Sequence, residues 1–334
     1  MWEISIEGCD VKVPVMKAIR VHEYGDVEHM RLDEVETPIA QADEVLIKVR
    51  AAGVNYADLM LRRGVYLIHP PTPFIPGFEV AGTIESVGAN VTNWKPGQRV
   101  AALVEAGGGY AEYVATKATK VVQIPDGMTD GIATALLVQG LTALGFLRDV
   151  QAGQTILIHA AAGGVGSLLV QLAKHRGARV IGTTSTRDKL EVVRRLGADV
   201  IINYTEPNWT EQVLHATKHE GVDYVIEMVG GDIGAQNITL LKPRGTMTVY
   251  GAASGQDFHI SALSLLFKAA TVRGYIVYNE TPQSVAQFTK ELMDLLAAGR
   301  LQVIVQEFAL EDAAKAHEAV GSRKTIGKVI LSVS

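Results

Sequence analysis

Thr155-Ile156-Leu157-Ile158-His159-Ala160-Ala161-Ala162-Gly163-Gly164-Val165-Gly166 decides the fold class of this chain. A short apolar run stops at residues with little or no side chain, and helical spacing begins at Gly164 and runs to Arg176. Such a strand-to-helix turn lets backbone N–H groups approach a pyrophosphate, and the helix N-terminus adds a favourable partial charge. A glycine triplet alone is weak evidence. Here a second strand follows at Arg179–Thr183, the context that a dinucleotide loop requires. Ala161 stands where the usual fingerprint has its first glycine; Ala162, Gly163, Gly164, Val165 and Gly166 are the loop residues assigned to a cofactor.

The end of the second strand selects between dinucleotides. An NAD site places Asp or Glu there, about 20 residues past the loop, to hold ribose hydroxyls. This chain reads Thr183-Thr184-Ser185-Thr186-Arg187-Asp188-Lys189. Hydroxyls occupy the critical Thr184/Ser185 position and two cations follow, which suits the 2′-phosphate of NADPH. Cations at a helix start oppose the helix dipole, which favours a ligand role for them over decoration.

Outward from the loop, strands and helices continue to alternate. Helix is predicted at Asp188–Leu196, and strands at Val222–Glu227 and Gly245–Gly251. Near-continuous apolar strands of this kind imply a parallel, doubly wound sheet. Upstream, from Met16 to about Leu137, short strands such as Val45–Val49, Val80–Ile84 and Ala111–Val114 are broken by Pro70-Pro71, Pro76-Gly77 and Pro96-Gly97. That pattern predicts a β-rich domain, closed or partly closed as a barrel. Downstream, Thr281 as N-cap, Pro282 at the first helical position and Gly299 as stop bound a helix with the stripe Val285, Phe288, Leu292, Leu295 and Leu296. Strand (303–308), helix (311–320) and strand (327–333) follow, and they suit either domain.

Composition narrows the function. The 334 residues are 48% hydrophobic with a net charge of −5, which supports a large core in two domains and gives no basic footprint for nucleic acid. No 18-residue apolar stretch suits a bilayer, and residues 1–15 read as an extension without the features of a signal peptide. A cytoplasmic protein is expected. Cys9 is the only cysteine, so an intrachain disulfide and any multi-cysteine metal site are excluded. His317-Glu318 lacks the second histidine of a zincin helix.

The chain from Met16 onward resembles the zinc-independent quinone oxidoreductases of the medium-chain dehydrogenase/reductase superfamily, the zeta-crystallin-like group. The resemblance is carried by Ala51–Asp58, Pro76–Gly82, Gln139–Ala143, His159–Gly166 and Ser322–Lys328. It implies a GroES-like β-barrel catalytic domain (16–138 and 279–334) and a doubly wound Rossmann dinucleotide-binding domain (139–278). It implies NADPH as cofactor, with Lys189 and Tyr204 near the adenosine phosphate. Asn55, Val138, Thr142, Val229, Tyr250 and Arg323 are implied to line the cofactor or cleft, and a homodimer or homotetramer is implied. Zinc-dependent relatives place Cys at the Asn55 position and His at the Phe78 position, so no metal is expected.

Without a metal, nothing here acidifies an alcohol. Quinones and conjugated enones fit better, because hydride or electron transfer from a nicotinamide needs mainly positioning and a donor for the developing oxygen charge. Asn55, Tyr66 and Arg323 are the candidate catalytic residues. For Asn55 the alternative is satisfying backbone in a turn, for Tyr66 packing beside Pro70-Pro71, and Asp58 reads as a helix cap. NADPH:quinone reductase is the leading expectation. An alkenal/enone double-bond reductase is the second, and an NADPH-binding structural or regulatory protein is the third.

Overall fold

Alternating and continuous apolar strands sort this chain into two large sheets that share one cleft, with a two-stranded hairpin beside one of them. The computed structural model describes residues 14–105 and 107–334; Cys9 and residues 1–13 of the expected extension lie outside them. The strands are β1 (Val15–Val21), β2 (Met30–Glu36), β3 (Glu44–Val54), β4 (Glu79–Val87), β5 (Arg99–Leu103), β6 (Tyr113–Lys117), β7 (Val121–Gln123), β8 (Thr155–Ile158), β9 (Arg179–Thr184), β10 (Val200–Asn203), β11 (Val222–Glu227), β12 (Leu241–Val249), β13 (Thr271–Gly274), β14 (Val305–Ala309) and β15 (Lys328–Ser332). The helices are α1 (Tyr56–Arg62), α2 (Asp130–Ala135), α3 (Leu141–Phe146), α4 (Gly164–His175), α5 (Arg187–Arg195), α6 (Trp209–Ala216), α7 (Gly231–Leu240), α8 (Ala262–Lys268), α9 (Pro282–Ala297) and α10 (Ala313–Gly321).

One sheet runs β14-β15-β3-β4-β5-β7, with β6 also on β3; the hairpin β1–β2 folds against it. Its core gathers Ile47, Val49, Leu59, Phe78, Val80 and Leu331. This is the GroES-like domain. The other sheet is six-stranded and parallel in the order β10-β9-β8-β11-β12-β13, the Rossmann arrangement. Crossover helices bury both faces, which is why β8 reads as an unbroken apolar run.

β15 pairs antiparallel with β3, from Val329 opposite Val54 to Ser332 opposite Ala51. α9 follows its sequence signals: Thr281 Oγ1 accepts the Ser284 N–H and Pro282 opens the helix. Phe288 and Leu292 pack into the same core as α4 and β8. The helix thus covers the Rossmann sheet while the strands after it extend the other one.

β12 begins four residues earlier than the predicted 245–251, at Leu241. Pro243, Arg244 at φ +66° and Gly245 are carried in an irregularity, where pairing with β11 jumps from Leu241/Val222 to Thr246/Tyr224. A bulge of this kind tolerates a proline that a regular central strand excludes.

Candidate active site

A cavity of about 560 Å³ lies between the two sheets. Its lining is predominantly apolar, with convergent polar groups at each end, as expected of a small-molecule site. Asn55, Tyr66 and Arg323 line it, and so do Val138, Thr142, Gly163 to Gly166, Lys189, Tyr204, Val229 and Tyr250. Ala162, Thr184 and Ser185 are not among its lining residues. The Ala162 carbonyl accepts the Gly327 N–H at 2.8 Å, and the Thr184 hydroxyl donates to the Thr186 carbonyl.

The nucleotide wall is built of bare backbone. A Cβ on Gly166 would stand 2.4 Å from the Ala160 carbonyl oxygen and 2.7 Å from Ala161 Cα, so only glycine lets α4 approach β8 this closely. A Cβ on Gly163 would meet only the Ala160 oxygen, at 3.3 Å. Beneath the loop, buried His159 is held between Thr183 Oγ1 and Asn237 Oδ1, each at 2.8 Å. Glu227 closes the network by accepting the Val229 and Gly230 N–H groups.

At one end of this wall stand two cations. The Lys189 ammonium donates to the Arg323 carbonyl, and Arg323, at φ +57°, donates to the Ala253 carbonyl at 3.2 Å. Burial and the Arg323 charge push the Lys189 ammonium down from its usual value. Two neighbouring cations that disfavour each other fit an anion, and the Tyr204 N–H, bonded to the Thr184 carbonyl, brings Tyr204 alongside. The open glycine loop, the cavity and this cationic end fit a dinucleotide carrying a 2′-phosphate.

The barrel wall is polar, buried and assembled from distant segments. Asn55 precedes α1, and its N–H donates to Asp58 Oδ2 at 2.7 Å, so Asp58 serves as the cap read from sequence. Asn55 Nδ2 donates to Glu79 Oε1 at 2.9 Å. Asn55 Oδ1 accepts from Gln139 Nε2 and from Lys328 Nζ. Residues 136–140 form a π-turn between α2 and α3, and the Val138 N–H there donates to Glu79 Oε2 at 3.0 Å. Lys328, Gln139, Tyr56 and Tyr278 also line the cavity and were not read as site residues. A lone lysine directly before the apolar run 329–331 is the one signal the sequence offers.

Tyr66 packs its ring 5.5 Å from that of Phe78, which lies 6.4 Å from Tyr278. Burial and the nearby Asp58 charge push the Tyr66 hydroxyl up, so it stays a neutral donor. Asp58 is fully buried, and desolvation lifts its carboxyl to about 7. Tyr110 stands behind it, 3.1 Å from His317 Nε2. Burial, with the Arg62 and Arg63 charges, pushes His317 down to about 3.

A zinc ion does not fit this donor set. Phe78 offers no ligand atom, the Asn55 oxygen already takes two donors, and the Lys328 ammonium sits on the neighbouring carboxylate.

A family model described as Alcohol dehydrogenase GroES-like domain matches residues 41–126, and one described as Zinc-binding dehydrogenase matches residues 164–298. Quinone oxidoreductase of Sus scrofa is 34% identical over 323 residues, covering 95% of this chain and 98% of that protein. 2-Haloacrylate reductase of a Burkholderia species is 34% identical over 333 residues, covering 95% and 98%. The structure of Escherichia coli quinone oxidoreductase complexed with NADPH superposes with a TM-score of 0.89 at 30% identity, over 95% of this chain and all of that one. With its GroES-like barrel, Rossmann sheet and shared cleft, the chain belongs to the quinone oxidoreductase family of the medium-chain dehydrogenase/reductase superfamily.

Proposed function

We propose that this protein reduces quinones with NADPH in the cleft between its two domains, without a metal. The observation that carries the reading is the cleft's polarity. One end offers a glycine loop and two cations for a phosphorylated dinucleotide, and the other an apolar pocket with few neutral donors. NADPH supplies the reducing equivalent when bound. Gly163 to Gly166 hold its pyrophosphate, Lys189, Tyr204 and Arg323 its 2′-phosphate, and Val138, Thr142, Val229 and Tyr250 border it, with Ala162, Thr184 and Ser185 shaping the loop and strand end from behind. Asn55 and Tyr66 stand at the acceptor end as hydrogen-bond donors for the oxygen that gains charge.

The division of labour proposed is a catalytic unit of 16–138 and 279–334 with a nucleotide unit of 139–278; the β15–β3 pairing supports it for the final strands, whereas α9, through Phe288 and Leu292, packs with the nucleotide unit. Bulky, apolar acceptors suit the cavity mouth, where Val65 and Leu67 are 61% and 72% exposed beside Met60. The 2-haloacrylate reductase relative favours conjugated enones as a second substrate class. A homodimer or homotetramer is supported by the open edge of β13 beside Leu266 and Phe267, which are 68% and 80% exposed. Among the described residues no helix is long and apolar enough to cross a membrane, in keeping with a cytoplasmic enzyme.

Steady-state NADPH oxidation with 1,4-benzoquinone, 9,10-phenanthrenequinone and a 2-alkenal, each with and without chelator, tests the reading. Quinone turnover that survives chelation supports it, with negligible oxidation of simple alcohols. Alkenals outpacing every quinone reassign the substrate. Tight NADPH binding with no turnover of either class removes the enzyme reading.

A further inference from the structure

Lys328 and Glu79 are buried at 2% and 0% exposure and form an ion pair at the cavity wall. The Lys328 ammonium has its three donors on the Val54 carbonyl, Asn55 Oδ1 and Glu79 Oε1. Room for the carboxylate comes from Gly53, where a Cβ would stand 2.3 Å from Glu79 Oε1. Both ends of this pair touch the same amide. An ammonium only donates and a carboxylate only accepts, so Asn55 has one permitted orientation, oxygen toward Lys328 and nitrogen toward Glu79.

We propose that Lys328 and Glu79 act as an orientation lock on the Asn55 amide, with Lys328 a positioning residue for reduction of the acceptor. The inference rests on the quinone or enone reading above. Asn55 Nδ2 carries two N–H groups, and one is on Glu79. The lock leaves the second as the amide's contribution to the cavity, a donor for the acceptor oxygen as charge builds on it. A reversed amide presents its carbonyl oxygen instead, and like partial charges then oppose the reaction.

The geometry supplies a variant that reverses the amide without leaving a buried charge. In Glu79→Gln/Lys328→Met, the Val138 N–H requires the oxygen of the substituted side chain at the position Glu79 Oε2 now holds. The nitrogen of that new amide then faces Asn55 and demands its oxygen. Gln139 accommodates the reversal by turning over, since its Oε1 has no partner now.

The experiment compares the full-length wild type, Lys328→Met, the double variant and Asn55→Ala. It reads NADPH Kd by fluorescence, kcat and KM for 9,10-phenanthrenequinone and a 2-alkenal, and the thermal midpoint. Lys328→Met strands the Glu79 charge and should lower the midpoint; the double variant should regain it. The double variant should lose about tenfold to a hundredfold in kcat, more than Asn55→Ala loses, whereas Lys328→Met, in which the Glu79 carboxylate still takes the Asn55 N–H, should lose less; NADPH Kd should stay within about threefold of wild type in both. Recovery of wild-type kcat in the double variant overturns the proposal and leaves the pair a folding element. NADPH affinity falling in step with kcat overturns it as well. Should the wild type reduce neither acceptor, the assigned reaction fails separately. The lock is then read from the Asn55 side-chain N–H signals in selectively 15N-asparagine-labelled protein, assigned by their loss in Asn55→Ala. Signals that shift in the double variant support the lock, and signals that stay put refute it.

Discussion

The two walls of the cleft solve opposite problems. The nucleotide wall approaches its ligand with backbone, and its chief requirement is that side chains be missing: Gly166 has no space for a Cβ. The barrel wall approaches with side chains, and its requirement is that every buried polar atom be paired. Asn55, Glu79 and Lys328 meet that requirement jointly with the Gln139 nitrogen, across sequence separations of 24, 84 and 273 residues, and Gln139 Oε1 is the one atom of the four side chains left over. A wall of the first kind fails through steric clash. A wall of the second kind fails through an unsatisfied or reversed hydrogen bond, with the fold intact.

The largest effect expected is therefore on the glycine wall. Gly166→Ala drives a Cβ into the backbone of Ala160 and Ala161. NADPH binding measured by titration should weaken at least about a hundredfold, the cost of shifting packed backbone being several kcal/mol. A variant that binds NADPH normally would show that α4 can retreat from β8, and the contrast between the walls would dissolve.

Behind the barrel wall, Asp58 and His317 should oppose each other as pH changes. Asp58 is raised from 3.8 to about 7. Between those values the native state keeps a proton that the unfolded chain has released, so this group's contribution falls as pH rises. His317 is lowered from 6.5 to about 3. There the unfolded chain takes up a proton that the native state refuses, so its contribution falls as pH drops. From about pH 4 to 6.5 the two slopes cancel in part. His317→Phe should expose the Asp58 slope, with stability in urea declining from pH 4 to 7 by on the order of a few kcal/mol. A variant as flat as the wild type would mean that neither group is perturbed as its burial implies.

If Lys189 reads the 2′-phosphate as proposed, Lys189→Ala should cost the worth of a charge-assisted hydrogen bond, about 1.5–3 kcal/mol, or roughly tenfold to 150-fold in NADPH affinity. NADH binding should be nearly unchanged, and Tyr204→Phe should erode the same preference more weakly. Equal weakening of both dinucleotides would make Lys189 a tie to the Arg323 carbonyl and not a reader of the phosphate. The smallest effect is expected of Asn55→Ala, about 0.5–1.5 kcal/mol in kcat/KM for quinones. A loss as large as that of the reversed amide would show that Asn55 also holds the wall together.

The sequence alone determined the Rossmann half in some detail, because its signals are local. The run 155–166 lies within one strand-turn-helix, and β11 begins and ends at the predicted Val222 and Glu227; of the hydroxyls and cations read at 184–189, Lys189 alone lines the cavity. Period and spacing survive in a linear string, and the caps at Asp58 and Thr281 are legible for the same reason. The tertiary structure decided what had no period: that α9 covers the Rossmann core while β15 joins β3, that β12 carries its proline in a bulge, and that Lys328 reaches Glu79 and Asn55. A buried polar group is tolerated only where a partner meets it, and which partner meets it is set by packing among segments far apart in the chain.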